Sequence, residues 1–277
     1  RQMCIRDSHN IRRTMNYIFY IIIGFSIIFI ATSLGSAIIF FVKNSVSEKM
    51  NTIFLGFAGG IMVAASIWSL ILPAIDQSSN LGKLSFLPVV GGFLLGSLFL
   101  VILDKVIPHF HPQANIEEGP KTKNINKVTK MFLAITIHNI PEGLAVGFSF
   151  GSAYLLNTEI SYIAALGLAI GIAIQNIPEG AAISLPLQAN LKNKPKAFAF
   201  GVLSGIVEPI AAVLGFFLAS YISFAQPWFL SFAAGAMIFV VVEDIIPDSK
   251  IEENPHLGTW SFIIGFCLMM ILDVALG

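Results

Sequence analysis

The chain has 277 residues, 56% of them hydrophobic and 12% charged, with no formal net charge and a mean hydropathy of +0.81. Soluble domains carry roughly 25% charged residues, so this composition excludes a water-soluble shell, and the zero net charge argues against a nucleic-acid partner. Cys4 and Cys267 are too few and too far apart for a disulfide framework or a thiolate metal site.

The opening RQMCIRDS differs in character from the rest of the chain and resembles translated adapter sequence. Residues 1–14 are therefore treated as a non-native leader, with native sequence expected from near Met15. From there, apolar blocks approach or exceed the roughly 20 residues that cross a bilayer core. They fall at 17–42, 52–75, 85–106, 131–153, 160–187, 197–224, 227–247 and 258–276. The breaks carry loop chemistry such as KNSVSEK, DQSSNLGK, NLKNKPK and DSKIEENPH. The longest, 107–130, is polar and reads as a flexible loop. The expectation is an all-α integral membrane protein, a single transmembrane domain of eight helices with no separate soluble domain.

Basic residues predict the orientation. Lys43, Lys49, Lys105, Lys121, Lys123, Lys127, Lys130, Lys192, Lys194, Lys196 and Lys250 fall in the breaks after spans 1, 3, 5 and 7. Only Lys83 and Arg1, Arg6, Arg12 and Arg13 fall on the other side. The positive-inside rule puts the odd-numbered loops in the cytoplasm and both termini outside.

Span 4 contains His138-Asn139-Ile140-Pro141-Glu142-Gly143, and span 5 repeats it as Gln175-Asn176-Ile177-Pro178-Glu179-Gly180. Consecutive spans run antiparallel, so the copies are related as an inverted repeat, the arrangement that sets transporter sites near the midplane. Residues three and four apart share a helix face, which places His138 and Asn139 beside Glu142, and Gln175 and Asn176 beside Glu179. At about 1.5 Å rise per residue, both sets lie roughly 10 Å from the same membrane face. Pro141 and Pro178 free the carbonyls of Ile137 and Ile174, while Gly143 and Gly180 let the two helices approach closely. A carboxylate at mid-bilayer costs on the order of 3 kcal/mol, and a like charge nearby raises that. No Lys or Arg lies near that depth in spans 4, 5 or 6. A bound cation answers the problem; protonated carboxyls are the alternative. Glu208, followed by Pro209 in span 6, reads as a third carboxylate. Imidazole with carboxylates suits Zn²⁺ first, and also Fe²⁺, Mn²⁺ or Cd²⁺, without any organic cofactor.

These residues resemble the ZIP (Zrt-/Irt-like) family of metal transporters, in particular its bacterial GufA-type branch. The resemblance spans the membrane portion and rests on the paired Pro-Glu-Gly motifs. It implies import of Zn²⁺ into the cytoplasm across a plasma (inner) membrane by an elevator-like motion. In that motion spans 1, 4, 5 and 6 slide against the other four; a homodimer is a further expectation. Carried over, one ion is held by His138, Glu142, Gln175 and Glu179, and a second by Asn139, Asn176 and Glu208, with Glu142 and Glu179 bridging. Some relatives have Asp where this chain has Asn176, which removes a formal charge from the second position. Span 2 resembles the family's path helix, with Met62 just outside the site and Ser69 nearer the outer mouth. By spacing alone Met62 is equally a packing residue. Asp104, His109, His111, Glu243 and Asp244 are expected on the cytoplasmic face, as an exit route or sensing site; otherwise Asp104 pairs with Lys105 and the histidines are plain loop residues. Asp273 and His256 receive no role.

Two other classes use the same ligands. One is an intramembrane metalloenzyme with metal-activated water, against which the absent HExxH arrangement counts. The other is a pore or receptor with a structural metal.

Overall fold

The computed structural model describes residues 2–42, 47–111, 116–120 and 126–276, with the side chains of 2–16, 111, 116, 118, 135 and 183 outside that description. Of the residues in the charge pattern, Lys43, Lys121, Lys123 and the four arginines therefore lie outside it in whole or in side chain. Among the described residues, eight helical segments are long and apolar enough to cross a membrane. Span 1 is Tyr17–Phe40, span 2 Glu48–Gln77, span 3 Phe86–Val106 and span 4 Lys127–Leu156. Span 5 is Glu159–Leu191, span 6 Lys194–Tyr221, span 7 Ser223–Ser249 and span 8 Pro255–Leu276. The helix containing span 1 begins at Gln2.

Most spans outrun their apolar cores because the polar breaks supply caps. Ser47, Asn126, Thr158 and Asn193 each accept a backbone N–H with the side chain at the start of spans 2, 4, 5 and 6. Each satisfies a donor that the first helical turn would otherwise leave unpaired. Asn157, Lys192 and Lys250 end three helices in the left-handed conformation.

Span 4 packs most extensively on span 6, span 1 on span 5, span 2 on span 8 and span 3 on span 7. Spans 1, 4, 5 and 6 thereby form one group and spans 2, 3, 7 and 8 another. Spans 2 and 7 face spans 5 and 4 across the boundary. Leu94, Leu98, Ile210 and Phe217 stand exposed on the outside, the apolar surface that a bilayer requires.

Spans 2 and 7 share a local device. Each widens into a π-helical turn, Ser66–Ile71 and Val241–Ile245, just before Pro73 and Pro247. A proline cannot donate to the carbonyl four residues back and its ring crowds it, so the widened turns sit where Ser69 and Glu243 lose their helical partners. The start of span 2 is tied to the end of span 7: Asn51 Nδ2 donates to Asp248 O (2.9 Å) and Thr52 Oγ1 to Ser249 O (2.7 Å).

The segment after span 3 departs from the plain flexible loop expected of its composition. Its described part pairs His109–His111 with Ile116–Glu118 as an antiparallel hairpin. Phe110 is buried with Met131 and Leu185, the Lys127 ammonium lies 4.2 Å from its ring centroid, and Lys130 pairs with Glu117. These contacts extend span 4 back to Lys127, where hydropathy alone places its start at 131.

Small residues set the closest approaches. A Cβ at Gly147 would run into the Ala212 carbonyl of span 6, whereas one at Gly167 would meet the Leu276 side chain at 3.4 Å and the Leu272 carbonyl at 3.9 Å, ordinary contacts. Gly147→Ala is expected to destabilise the protein by about 1–3 kcal/mol through overpacking. Gly167→Ala is expected to be neutral or stabilising, since alanine is the better helix former. Thermal melts of the two variants in one detergent compare them directly; equal melting temperatures would refute the packing argument.

Candidate metal centre

The repeated hexapeptides lie in the middle of spans 4 and 5, which run on as helices through Pro141 and Pro178. Their glycines do not bring the two helices together, as the sequence suggests they should. A Cβ at Gly143 would strike the Glu208 carbonyl of span 6, and one at Gly180 the Thr32 carbonyl of span 1. Each motif is therefore pressed against a different neighbour, because the tight pairs of the fold are span 4 with span 6 and span 5 with span 1. Four spans converge on one polar layer as a result.

In that layer His138, Asn139, Glu142, Gln175, Asn176, Glu179 and Glu208 are all buried, none more than 7% exposed. Glu142 lies within electrostatic reach of Glu179 and Glu208. Both carboxylate oxygens of Glu142, both of Glu179 and the amide oxygen of Gln175 are buried without a hydrogen-bond partner of normal geometry among the described residues. Buried polar atoms are nearly always satisfied, so five such oxygens in one layer set it apart from the rest of the interior.

The other members of the layer are engaged. His138 Nε2 lies 3.2 Å from Asp244 Oδ2 of span 7, a contact across the two helix groups. Asn139 Nδ2 donates to Ser204 O (3.2 Å). Glu208 accepts from the Thr32 hydroxyl at Oε1 (2.5 Å) and from Asn176 Nδ2 at Oε2 (2.9 Å). Consistent with these engagements, no three His, Cys, Asp or Glu side chains among the described residues converge on one point at metal-ligand spacing. The donors share a layer, while His138 and Glu208 turn to protein partners.

Apart from Met62, the flanking residues gather mainly around two cavities. Met62 is fully buried in the core, and its carbonyl accepts from Ser66 Oγ (2.8 Å). Ser69 hydrogen-bonds Asp273 of span 8, and both line a cavity of about 350 Å³ with Trp68, Gln77, Ser152 and Leu230. Asp273, without a role on sequence grounds, is thus placed; a lone acid in the apolar run of span 8 was the signal. On the opposite side Asp104, Lys105 and Glu243 line an open recess of about 500 Å³. His109 Nε2 lies 3.7 Å from Asp104 Oδ1, and its Nδ1 lies 2.8 Å from the Ile107 carbonyl. Asp244 parts from this group and sits at His138, because a residue one position along a helix points about 100° away. The His111 side chain lies outside the described residues. His256 is exposed at the start of span 8.

Comparison with known proteins identifies the family of the chain. Residues 128–273 match the family model described as ZIP Zinc transporter. The chain is 35% identical to human zinc transporter ZIP11 (Homo sapiens) over 89% of this chain and 94% of that protein. It is 36% identical to zinc transporter ZIPB of Bordetella bronchiseptica, over 93% and 82% respectively. It is also 36% identical to zinc transporter GufA of Myxococcus xanthus, over 89% and 95%. The matched family is one of transporters rather than enzymes. The chain, with eight apolar spans around a buried layer of carboxylates and amides, belongs to the ZIP family of zinc transporters.

Proposed function

We propose that this chain carries Zn²⁺ into the cytoplasm of a bacterial cell across its plasma membrane, holding the ion between Glu142 and Glu179 with Gln175 and His138. The observation that carries this reading is the pair of buried carboxyl groups in mutual reach beside the Gln175 amide, none of their four oxygens in a hydrogen bond of normal geometry. Two like charges of this kind are tolerated in a low-dielectric layer only when a cation or protons compensate them. Imidazole, carboxylate and amide oxygens suit Zn²⁺ and, less closely, Fe²⁺, Mn²⁺ and Cd²⁺. His138 completes the set by turning from Asp244 to the ion.

The excess of Lys beside the odd-numbered loops supports an orientation with those loops in the cytoplasm. The Ser69–Asp273 cavity is then the outer mouth and the Asp104–Glu243 recess the inner one. All of the proposed ligands belong to the group of spans 1, 4, 5 and 6. Met62, Ser69, Glu243, Asp244 and Asp273 belong to the other group. We propose that the ligand-bearing group slides against its partner as an elevator, its two Pro-Glu-Gly motifs acting as an inverted repeat that presents the ion to each side in turn.

Reconstituted in zinc-loaded vesicles, the wild-type chain is expected to show saturable Zn²⁺ flux. Glu179→Ala should reduce it to background, and flux that survives the substitution counts against the site. Competition by Fe²⁺, Mn²⁺ and Cd²⁺ in the same assay ranks selectivity. A second expectation concerns stability without metal. In chelator-treated protein Glu142→Gln and Glu179→Gln should each raise the melting temperature, because an amide can donate to the facing carboxylate and removes a charge–charge repulsion. An effect of about 1–3 kcal/mol is the scale for relieving an unsatisfied buried group. A lower melting temperature in both variants would show that the carboxylates are not strained against one another.

A further inference from the structure

Thr32 of span 1 belongs to no motif singled out in the sequence, yet its hydroxyl lies 2.5 Å from Glu208 Oε1. That hydroxyl has a single hydrogen. The alternative acceptor, the Ile28 carbonyl, lies at 3.2 Å, so the proton goes to the carboxylate, where a charge-assisted bond is both shorter and stronger. The Thr32 hydroxyl oxygen in turn accepts from Asn176 Nδ2 at 3.0 Å. Asn176 Nδ2 also donates to Glu208 Oε2 at 2.9 Å. Gln175 Nε2 donates to Asn176 Oδ1 at 2.6 Å, which fixes the amide with its nitrogen toward Glu208.

The consequence is a division of labour within the layer. Glu142, Glu179 and the Gln175 oxygen are unsatisfied. Both oxygens of Glu208 and the Asn176 oxygen, the atoms a second ion would need, already have donors.

Resting on the proposed site between Glu142 and Glu179, we infer that Thr32 and Asn176 bind Glu208 by hydrogen bonds in the place a second cation would take, so that the chain carries one ion and Thr32 is a positioning residue for it. The Asn176 NH₂ group supplies two hydrogens where an ion would supply charge. Aspartate at this position could not: it would leave two buried carboxylates sharing the one Thr32 proton, and a cation would be needed to neutralise them. The hydrogen bonds also withhold Glu208 from the transported ion. Transport requires binding weak enough for release, and a further carboxylate ligand would oppose release.

The test is zinc stoichiometry, by elemental analysis of the purified full chain in nanodiscs equilibrated with buffered Zn²⁺, alongside vesicle flux. Wild type is expected to hold one zinc per chain, Asn176→Asp two, and Asn176→Asp with Glu208→Gln one again. Thr32→Val frees Glu208 to join the ion, so KM and kcat for flux should fall together, about tenfold for a lost charge-assisted hydrogen bond. Thr32→Ser, which keeps the hydroxyl, should restore both. A merely structural role for Thr32 would lower kcat without lowering KM, and that result overturns the positioning role. Two zinc ions in wild type, or one in Asn176→Asp, overturn the inference while leaving transport intact. A wild-type chain that holds no zinc and passes none overturns the transport site as well.

Discussion

Two buried carboxyl groups in mutual reach, with none of their four oxygens in a hydrogen bond of normal geometry, are the constraint on which the rest of this structure depends. Glu142 and Glu179 lie on different helices, so their apposition persists only because each helix is held from the far side. Span 4 is held by the backbone of span 6 at Gly143, and span 5 by the backbone of span 1 at Gly180. In a bilayer no hydrophobic force separates protein from lipid, and close packing supplies the cohesion. The small residues of the motifs therefore have a mechanical role. They let backbone press on backbone, and that packing keeps the two carboxyl groups facing each other.

That arrangement fixes which parts of the molecule act as units. Spans 1, 4, 5 and 6 share the polar layer and their own hydrogen bonds through Thr32, Asn139, Ser204 and Glu208. Spans 2, 3, 7 and 8 share close apolar packing and the ties between Asn51, Thr52 and the end of span 7. At the centre, the His138–Asp244 contact crosses from one group to the other.

Much of this was legible in the sequence. Eight spans follow from hydropathy because a bilayer accepts few alternatives to an apolar helix, and the repeated hexapeptide marks the layer because five identical positions in antiparallel neighbours must meet at similar depth. The missing parts were matters of partner choice. Gly143 and Gly180 look like a common interface, but which surface a glycine meets is decided by helices distant in sequence. Thr32 carried a faint signal: it lies four residues from Ser36, on one helix face, in a span whose other hydroxyl residues besides its tyrosines are Ser26 and Ser33. Asp244 follows Glu243 directly, and sequence adjacency grouped them although the helix sends them to different places. The hairpin at His109–His111 escaped notice because three-residue strands in a polar, Lys-rich segment leave no periodic pattern to read.

The polar layer also bears on how an ion can cross. The Ser69–Asp273 cavity and the Asp104–Glu243 recess lie toward opposite ends of spans 2 and 7, each beside a π-helical turn that a proline imposes. Further along the same two helices, Met62, Ala64, Ala65, Ala234, Met237 and Val240 are buried to near-zero exposure. Those intervals offer an ion no polar atoms beyond a backbone already bonded within its helix, and an unsolvated cation cannot traverse them. A static pore would need the intervals to be wet. The widened turns at Ser69 and Glu243 lie outside those intervals, at the places on spans 2 and 7 where a proline already costs the helix a hydrogen bond.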